Sequence, residues 1–366
     1  MPKICDLIAE KAAAGEDWVS YEYFPPRSEQ GVKNLEARFL RMKQARMPLF
    51  CDMTWGAGGS TSDLTMELTL KIKSLGLEPN MHLTCTNVAR EDVVKALHTC
   101  RQHGVRNIVA LRGDPPVGQD KWEATEGGFE CALDLVKFIR EEHGDYFCLS
   151  VAGYPEGHPD TIVHVGDDEA ALSPSERTRC KITVEPDGTK KVYVCPDASF
   201  KLELDYLKRK VAAGADVIIT QMFFDASTYG AFLRECRAAG ITVPVVPGIM
   251  LVQAAGGFRK MTTMCKTRVP GEVHAAVDAR ADDDAELKAY GVDLGVAMSH
   301  QLLAYGAPGL HFYTLNLEKS TLAIADRVAS ARAKTKSAKR DLLKYAILAA
   351  GLAAAVAFAV NRGKRT

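Results

Sequence analysis

The sequence predicts a closed (β/α)8 TIM barrel, because short apolar strands alternate with longer helices from residue 19 to about residue 331. Strands that are separated by helices pair in parallel through right-handed crossovers. Eight such units in one chain fit a closed barrel better than an open sheet. An open doubly wound sheet would also carry a glycine fingerprint after its first strand, where this chain has Pro25-Pro26-Arg27.

The eight predicted strands are short runs rich in β-branched and aromatic residues. They cover residues 19–24, 48–53, 80–85, 106–112, 146–151, 216–221, 243–247 and 309–314. The segments between them place apolar residues at helical spacing, as in 34–45, 63–75, 91–102 and 129–142. We therefore expect residues 1–331 to form one barrel domain.

Two segments inside this span depart from the repeat. Residues 162–199 contain two β-rich runs around Pro186-Asp187-Gly188, which predicts an inserted hairpin that turns at these three residues. Residues 276–290 are acidic and polar, which predicts a surface loop that leads into a helix.

The C-terminal tail has a composition of its own. Residues 332–344 form a basic linker, and residues 345–360 are an uncharged, alanine-rich run between basic flanks. As a helix this run would reach about 24 Å, short of a hydrocarbon core of roughly 30 Å unless neighbouring residues extend it. Two interpretations stay open, a transmembrane anchor and a helix that packs on the protein or on another chain.

Composition excludes several functional classes. The 46 basic and 46 acidic residues balance, so no net field attracts nucleic acid. Ten cysteines occur without a C-x-x-C pair, which indicates reduced thiols and a cytoplasmic location rather than a disulfide framework. His82 and His158 are the histidines expected at the barrel mouth, and metal-ligand spacings such as H-x-H are missing from the sequence. We expect no metal centre.

In a TIM barrel the active site lies at the carboxyl ends of the strands, and the unusual residues of this chain collect there. Glu22 stands within an apolar strand, where a buried charge must be paired or protonated. The other strand-end features each have a structural explanation: Gly113-Asp114-Pro115-Pro116 makes a good turn, and His82 fits a hydrogen-bonded core position. Their number on one face nevertheless predicts a site.

The strand-end motifs resemble, in order, those of the methylenetetrahydrofolate reductase family. They are EYFPPR, TWGAGGST, HLTC, ALRGDPP, YPEGHP, LKRKVAAGAD, ITQMFFD, VPGIM and HFYTLN. The likeness is to the catalytic barrel of the plant and eukaryotic type, and the large regulatory domain of many eukaryotic members does not follow in this sequence. The resemblance implies that NADH or NADPH reduces FAD, which then converts 5,10-methylenetetrahydrofolate to 5-methyltetrahydrofolate for methionine synthesis. The two substrates would take turns at one site.

Two acidic residues acquire catalytic roles from the resemblance. Glu22 matches the glutamate that protonates N10 of the folate, so that the methylene bridge opens before hydride arrives. Asp114 matches the aspartate beside the flavin pyrimidine edge, where a negative charge favours hydride donation and a cationic folate intermediate.

Further residues acquire binding roles from the same resemblance. Those expected around FAD are Thr54, Trp55, Ala57, His82, Arg112, Gly113, Asp114, Ala132, Tyr154, His158, Tyr206, Arg209 and Lys210. Either Glu203 or Asp205 would contact the cofactor ribose. Besides Glu22, the residues expected at the substrates are Thr54, Gln221 and Phe223. Leu317 stands where some members have a folate-binding arginine.

Two rival functions stay open. One is a membrane-tethered flavin- or folate-binding barrel that has lost catalysis, and the other is a flavin oxidoreductase similar to proline dehydrogenase. In each case we expect small-molecule ligands, a homo-oligomer and no nucleic-acid partner. If residues 345–360 are an anchor, the protein would face the cytosol from a membrane.

Overall fold

The computed structural model describes residues 2–55, 62–85, 88–113, 126–185 and 187–333. The strands in this part of the chain are β1 (Val19–Tyr23), β2 (Cys51–Met53), β3 (Pro79–Thr84), β4 (Asn107–Leu111), β5 (Cys148–Gly153), β6 (Val163–Gly166), β7 (Lys181–Val184), β8 (Lys190–Val194), β9 (Val217–Thr220), β10 (Val245–Val246), β11 (Gly248–Met250) and β12 (Leu310–Tyr313). Nine of them form one parallel sheet in the order β10-β9-β5-β4-β3-β2-β1-β12-β11. All eight predicted strands are present, and the predicted barrel is confirmed.

The helices of the described residues precede, connect and follow the strands. They are α1 (Ile4–Ala14), α2 (Glu29–Ala45), α3 (Ser62–Ser74), α4 (Arg90–Gln102), α5 (Ala132–His143), α6 (Pro174–Arg177), α7 (Asp197–Ala212), α8 (Ala226–Ala238), α9 (Ala255–Met264), α10 (Gly271–Asp278), α11 (Asp284–Ala304) and α12 (319–333). The four helices predicted from apolar spacing correspond to α2, α3, α4 and α5. Their buried residues recur at helical spacing, as Leu35, Phe39 and Met42 do in α2.

The barrel closes at Pro247, which divides its seventh strand into β10 and β11. β10 pairs with β9, whereas β11 pairs with β12, so one strand joins the two ends of the sheet. Proline has no N–H to donate, but its carbonyl accepts a hydrogen bond from His311 N at 3.1 Å. The next position requires a glycine, Gly248, because a Cβ there would lie 2.4 Å from the carbonyl oxygen of Thr220.

Helix α1 covers the amino-terminal end of the barrel. Ile4 and Ile8 pack with Trp18, Phe50 and the inward-facing residues of several strands in one apolar cluster. Ile4 N donates to Asn107 Oδ1 at 2.8 Å, which fixes the start of α1 against β4. The opposite, carboxyl-terminal end of the barrel therefore carries the open mouth.

The inserted segment forms a small antiparallel sheet in the order β6-β8-β7. β7 and β8 make the predicted hairpin, in which Gly188 N donates to Glu185 O at 2.9 Å and Gly188 has a left-handed φ of 84°. Pro186 itself lies outside the described residues. β6 is a third strand that the prediction did not include.

The acidic segment 276–290 contains a shorter loop than predicted. α10 continues to Asp278, and α11 already begins at Asp284. Asp283 caps α11, since its side chain accepts hydrogen bonds from Ala285 N and Glu286 N. This cap explains how an acidic run starts a helix.

The predicted tail helix at 345–360 and nearly all of the predicted linker at 332–344 lie outside the described residues. Within the part of the chain that the structure describes, none of the helices combines the length and the apolar character that crossing a bilayer requires.

Glu78 makes stability depend on pH. Burial raises the pKa of Glu78 to about 7, although its Oε1 accepts a hydrogen bond from Asn107 Nδ2 at 2.7 Å. The unfolded chain releases this proton near pH 4.5 and the folded chain only near pH 7, so the free energy of unfolding falls as pH rises through this window.

We predict that Glu78→Gln removes this decrease in the free energy of unfolding at higher pH. Because glutamine stays neutral and still accepts the hydrogen bond, the variant should be more stable than wild type at pH 8, by on the order of 1–3 kcal/mol, and equally stable at pH 4. Urea unfolding at both pH values measures the difference. Glu10→Gln, at an exposed position of α1, is the control. An equal gain at both pH values would contradict the prediction.

Candidate active site

Glu22 lies at the carboxyl end of β1 and faces the barrel interior. Tyr21 and Tyr23 point the other way, where Tyr23 packs edge-on against Phe39 of α2. Because successive side chains of a strand face opposite sides, the tyrosines occupy the helix side, and Ser20 and Glu22 occupy the interior. The side chain of Glu22 is 21% exposed, so it remains accessible from the mouth.

Two carboxylates and two imidazoles surround one point inside the barrel. Nε2 of His82 lies 3.1 Å from Oδ2 of Asp52 and 3.6 Å from Oε2 of Glu22. Nε2 of His311 lies 3.8 Å and 3.7 Å from the same two oxygens. Acidic and basic groups therefore alternate, and we call this arrangement the carboxylate–imidazole ring.

The ring is held by hydrogen bonds from deeper residues of the same strands. Asn80 Nδ2 donates to Asp52 Oδ1 at 2.9 Å, and Ser20 Oγ lies 2.9 Å from Nδ1 of His311. These contacts leave Oδ2 of Asp52 and Nε2 of His311 facing the centre of the ring. Among the described residues, Nε2 of His311 has no hydrogen-bond partner.

The electrostatics of the ring favour a charged imidazole at position 82. Burial by itself lowers the pKa of His82, but the hydrogen bond with Asp52 and the negative charges of Glu22 and Asp52 outweigh burial and raise it above its ordinary value. Burial also raises the pKa of the nearby Tyr313 well above its ordinary value, so this phenol stays neutral. The ring therefore carries both signs of charge in a confined space.

Asp52 and His311 were not among the predicted site residues. The expected set of histidines at the mouth was incomplete, because His311 joins His82 in the ring. His311 lies in the middle of β12 and is fully buried, yet it reaches the ring. The available signal was the one that singled out Glu22, a polar side chain inside an apolar strand. Asp52 in PLFCDM and His311 in GLHFYT both carry that signal.

Two clusters of the described residues bring possible metal ligands within 4.8 Å of one another. One is Glu22, Asp52 and His311, and the other is Cys5, Cys148 and Asp216 at the opposite end of the barrel. In the first cluster, the imidazoles already compensate the carboxylates. In the second, Asp216 pairs with Arg140 at 2.7 Å. The absence of a metal centre stays a prediction.

A cavity of about 690 Å³ opens at the carboxyl ends of β4 and β5, between these strand ends and helices α5 and α7. The sequence-predicted residues that line it are Arg112, Ala132, Tyr154, His158, Glu203, Tyr206 and Lys210. The structure thus brings together seven of the residues expected around the cofactor.

The wall of the cavity offers positive charge. Lys210 is 4% exposed, and its Nζ donates to Ala152 O at 2.9 Å. Burial lowers the pKa of Lys210 to about 8, against the influence of Cys131 and Glu203. The first turn of α5, which begins at Ala132, has no side-chain cap at Cys131 and borders the same space. Helix N-termini and buried cations both favour anionic ligands.

Glu203 and not Asp205 lines this cavity. The carboxylate of Glu203 accepts hydrogen bonds from His158 N, at 2.8 Å to Oε2, and from Thr161 Oγ1. It therefore fixes the loop that follows β5. Asp205 is exposed on α7 and does not line the cavity.

Other predicted residues lie apart from the cavity. Arg209 is exposed, with its guanidinium over the Tyr206 ring at 5.4 Å. Gln221 follows β9, and its Oε1 accepts a hydrogen bond from Met222 N. Phe223 is fully buried in the core and stacks on Tyr229, so it presents no face to the mouth in this conformation.

The remaining predicted residues divide into two groups. Thr54 and Trp55 follow β2, where Thr54 N donates to Tyr23 O at 2.9 Å, and Gly113 follows β4 with a left-handed φ of 89°. These three residues therefore follow the carboxyl ends of their strands, and they are not in the lining of the cavity. Ala57 and Asp114 lie outside the described residues.

Comparison with known proteins gives one consistent family. The profile described as methylenetetrahydrofolate reductase matches residues 7–329. Methylenetetrahydrofolate reductase (NADH) 1 of Zea mays is 46% identical over 88% of this chain and 50% of its own length. Methylenetetrahydrofolate reductase 2 of Saccharomyces cerevisiae is 38% identical over 88% of this chain and 48% of its own length. The chain spans about half the length of these relatives.

A bacterial relative and a solved structure extend the comparison. The 5,10-methylenetetrahydrofolate reductase of Pectobacterium carotovorum subsp. carotovorum is 33% identical over 84% of this chain and 88% of its own length. A Clostridium thermocellum protein that binds two copies of 5-methyl-5,6,7,8-tetrahydrofolic acid has a TM-score of 0.52 and covers 87% of this chain and 96% of its own. At 13% identity, this structure supports the barrel fold alone.

Proposed function

This chain belongs to the methylenetetrahydrofolate reductase family, and we propose that it reduces 5,10-methylenetetrahydrofolate to 5-methyltetrahydrofolate with NADH or NADPH and FAD. The observation that carries the proposal is the carboxylate–imidazole ring at the carboxyl ends of the strands, together with a cavity at the ends of β4 and β5 that contains a buried cation. A proton donor and a cofactor site at one strand-end face are the two parts that such a reaction needs.

The cavity fits the cofactor. Its volume lies within the range of about 300–1,000 Å³ that is usual for small-molecule sites. Lys210 and the first turn of α5 suit the diphosphate, and Tyr154 and Tyr206 offer aromatic surface. Arg112 is a second cation of the lining, paired with Asp160 at 3.1 Å. Bound FAD would supply hydride transfer from the nicotinamide to the folate.

Glu22 would act as the acid of the folate reaction. The bridging carbon of the folate accepts hydride only after N10 has left it, and N10 leaves as a protonated amine. Glu22 is exposed enough to reach a ligand in the mouth, while its Oε2 stays 3.6 Å from His82 and 3.7 Å from His311. The carboxyl group donates its proton to N10 and must be reprotonated before the next turnover.

Substrate orientation would fall to residues around the mouth. Thr54 directly follows β2, the strand that pairs with β1, and Gln221 directly follows β9. Both side chains can donate and accept hydrogen bonds, which suits the amide of a nicotinamide and the ring edge of a folate. Since both substrates would use this face, they take turns there, which is a ping-pong mechanism.

The test is an anaerobic titration of the purified chain. We expect a yellow protein that bleaches with one of the two reduced nicotinamides and regains its colour with methylene-folate. Bleaching without recovery would favour a flavin-binding barrel that has lost folate chemistry. Recovery with a proline-derived substrate instead would favour a proline-dehydrogenase-like enzyme. A colourless protein that does not take up added FAD would overturn the proposal.

The Glu22→Gln variant separates the two half-reactions. Glutamine keeps the size of the side chain but cannot donate the required proton, so folate reduction should slow by at least roughly 100-fold. Bleaching by the nicotinamide should change by less than about threefold, because that step does not require an acid at N10. Stopped-flow spectroscopy of each half-reaction measures both rates, and equal slowing of the two would contradict the assignment.

Lys210 and Arg209 allow a matched test of the cofactor site. We predict that Lys210→Met weakens FAD binding by roughly 10–100-fold, since a buried cation that contacts a diphosphate contributes about 1.5–3 kcal/mol. Arg209→Met removes a neighbouring cation on the exposed side of α7 and should leave binding within about threefold. Fluorescence titration of the apoprotein with FAD gives both affinities. The reverse order would place the diphosphate on the exposed side of α7.

A further inference from the structure

Asp52 has no role in the chemistry proposed above, yet it is the more tightly held carboxylate of the ring. Its side chain is 1% exposed, against 21% for Glu22. Both of its oxygens are engaged, Oδ1 by Asn80 at 2.9 Å and Oδ2 by His82 at 3.1 Å. Such a carboxylate cannot swing toward a ligand in the mouth, so any role that it has must act through a neighbour.

The neighbour is His82, because one nitrogen faces both carboxylates. Nε2 of His82 is at hydrogen-bond distance from Asp52 and 3.6 Å from Oε2 of Glu22. A buried carboxylate is costly unless an opposite charge compensates it. Asp52 therefore favours the form of His82 in which Nε2 carries a proton and the imidazole is positive.

The surroundings of His82 add no competing cation among the described residues that face the ring. β1 contributes Glu22, β2 contributes Asp52, and β12 contributes His311 and the phenol of Tyr313, whose ring lies 5.2 Å from that of His311. On the β4 side, His82 is level with the apolar Val109. The two carboxylates thus determine where the proton of the ring resides.

We propose that Asp52 is a positioning residue for the acid step: it keeps a proton on Nε2 of His82, and His82 returns that proton to Glu22 after each turnover. This inference rests on the proposed function. In each cycle Glu22 gives its proton to the amine nitrogen of the substrate, and the imidazolium then passes its proton to Glu22. A proton from solvent then restores the imidazolium. The cycle involves only proton transfers, without oxidation or reduction, and returns the ring to its starting charge.

The geometry permits the transfer after a small movement. Glu22 is the less constrained partner, and a shift of about 0.5 Å brings its oxygen within the roughly 2.6–3.2 Å that proton transfer needs. Asp52 cannot take the place of Glu22, because it is buried below the mouth and held by Asn80. The ring therefore has an outer carboxylate that reacts and an inner one that holds the proton nearby.

The first measurement is the titration of His82 by NMR in protein with ¹⁵N-labelled histidine, with the His82→Gln variant used for assignment. We expect the pKa of His82 in wild type to lie above the ordinary histidine value, and Asp52→Asn to lower it by about one pH unit or more. Asp145→Asn, which removes a fully exposed carboxylate, is the charge-matched control and should leave it unchanged. A wild-type value at or below the ordinary one overturns the proposal without any variant.

The second measurement is the pH dependence of the two half-reactions. In wild type, the rate of folate reduction should fall at alkaline pH as His82 loses its proton. In Asp52→Asn this fall should begin at lower pH, shifted by the same amount as the His82 pKa. Above the shifted pKa, the variant should be roughly tenfold slower than wild type. Flavin reduction by the nicotinamide should keep its rate and pH profile. An unmoved folate profile, or equal losses in both half-reactions at every pH, would show that Asp52 is merely structural.

The outcomes separate this inference from the proposed function. If wild type fails to reduce methylene-folate, the proposed function is wrong and the inference ends with it. If wild type is active and the His82 titration does not respond to Asp52→Asn, only the inference is wrong. Should Asp52→Asn fail to fold, Asp52→Ser removes the same charge with a smaller side chain, and the His82 titration should again move down; an unchanged value overturns the inference.

Discussion

The parallel sheet curves into a cylinder that closes at Pro247, and this curvature brings the members of the carboxylate–imidazole ring together. The strand leaves β9 at this proline and continues beside β12, in a register that sets His311 opposite Gly248. β12 pairs with β1 on its other edge, where Glu22 is level with Tyr313. The alternation of side chains then turns Glu22 and His311 to the interior. The members of the ring come from four neighbouring strands, β3, β2, β1 and β12, and the curvature of the sheet directs them to one point.

The positions of strands and helices follow from local sequence, but the membership of the ring does not. β-branched runs, helical spacing and the turn around Gly188 are properties of a few adjacent residues, and these predictions were confirmed. Asp52 and His311 were missed because the sequence of an apolar strand does not show which of its two faces points into the barrel. Which face that is depends on register with β3 and β12, and register is fixed by pairing across the whole sheet.

The same limit applies to the cavity. Lys210 and Arg209 are adjacent cations of one helix, and the sequence gives both the same expected role. Successive residues of a helix point about 100° apart, so packing of α7 against β5 buries Lys210 and leaves Arg209 over the exposed side of Tyr206. Phe223 is a further example. It follows a strand and was expected at the substrates, but it packs into the core beside Tyr229. Tertiary packing decides between such neighbours.

Stability alone does not account for the ring. Replacing a buried ionic network with apolar residues of similar volume is often neutral or stabilising, because desolvation offsets much of the attraction between charges. This barrel has extensive apolar clusters, both in its interior and between the strands and the helices, so its fold does not depend on the four polar side chains of the ring. The ring also lies at the open end of the barrel, away from α1, where a ligand can reach Glu22. Charges that are costly to bury and lie at the accessible end of the barrel are best explained by chemistry on a ligand. A carboxyl group next to a protonated imidazole, which can return its proton, is suited to acid catalysis.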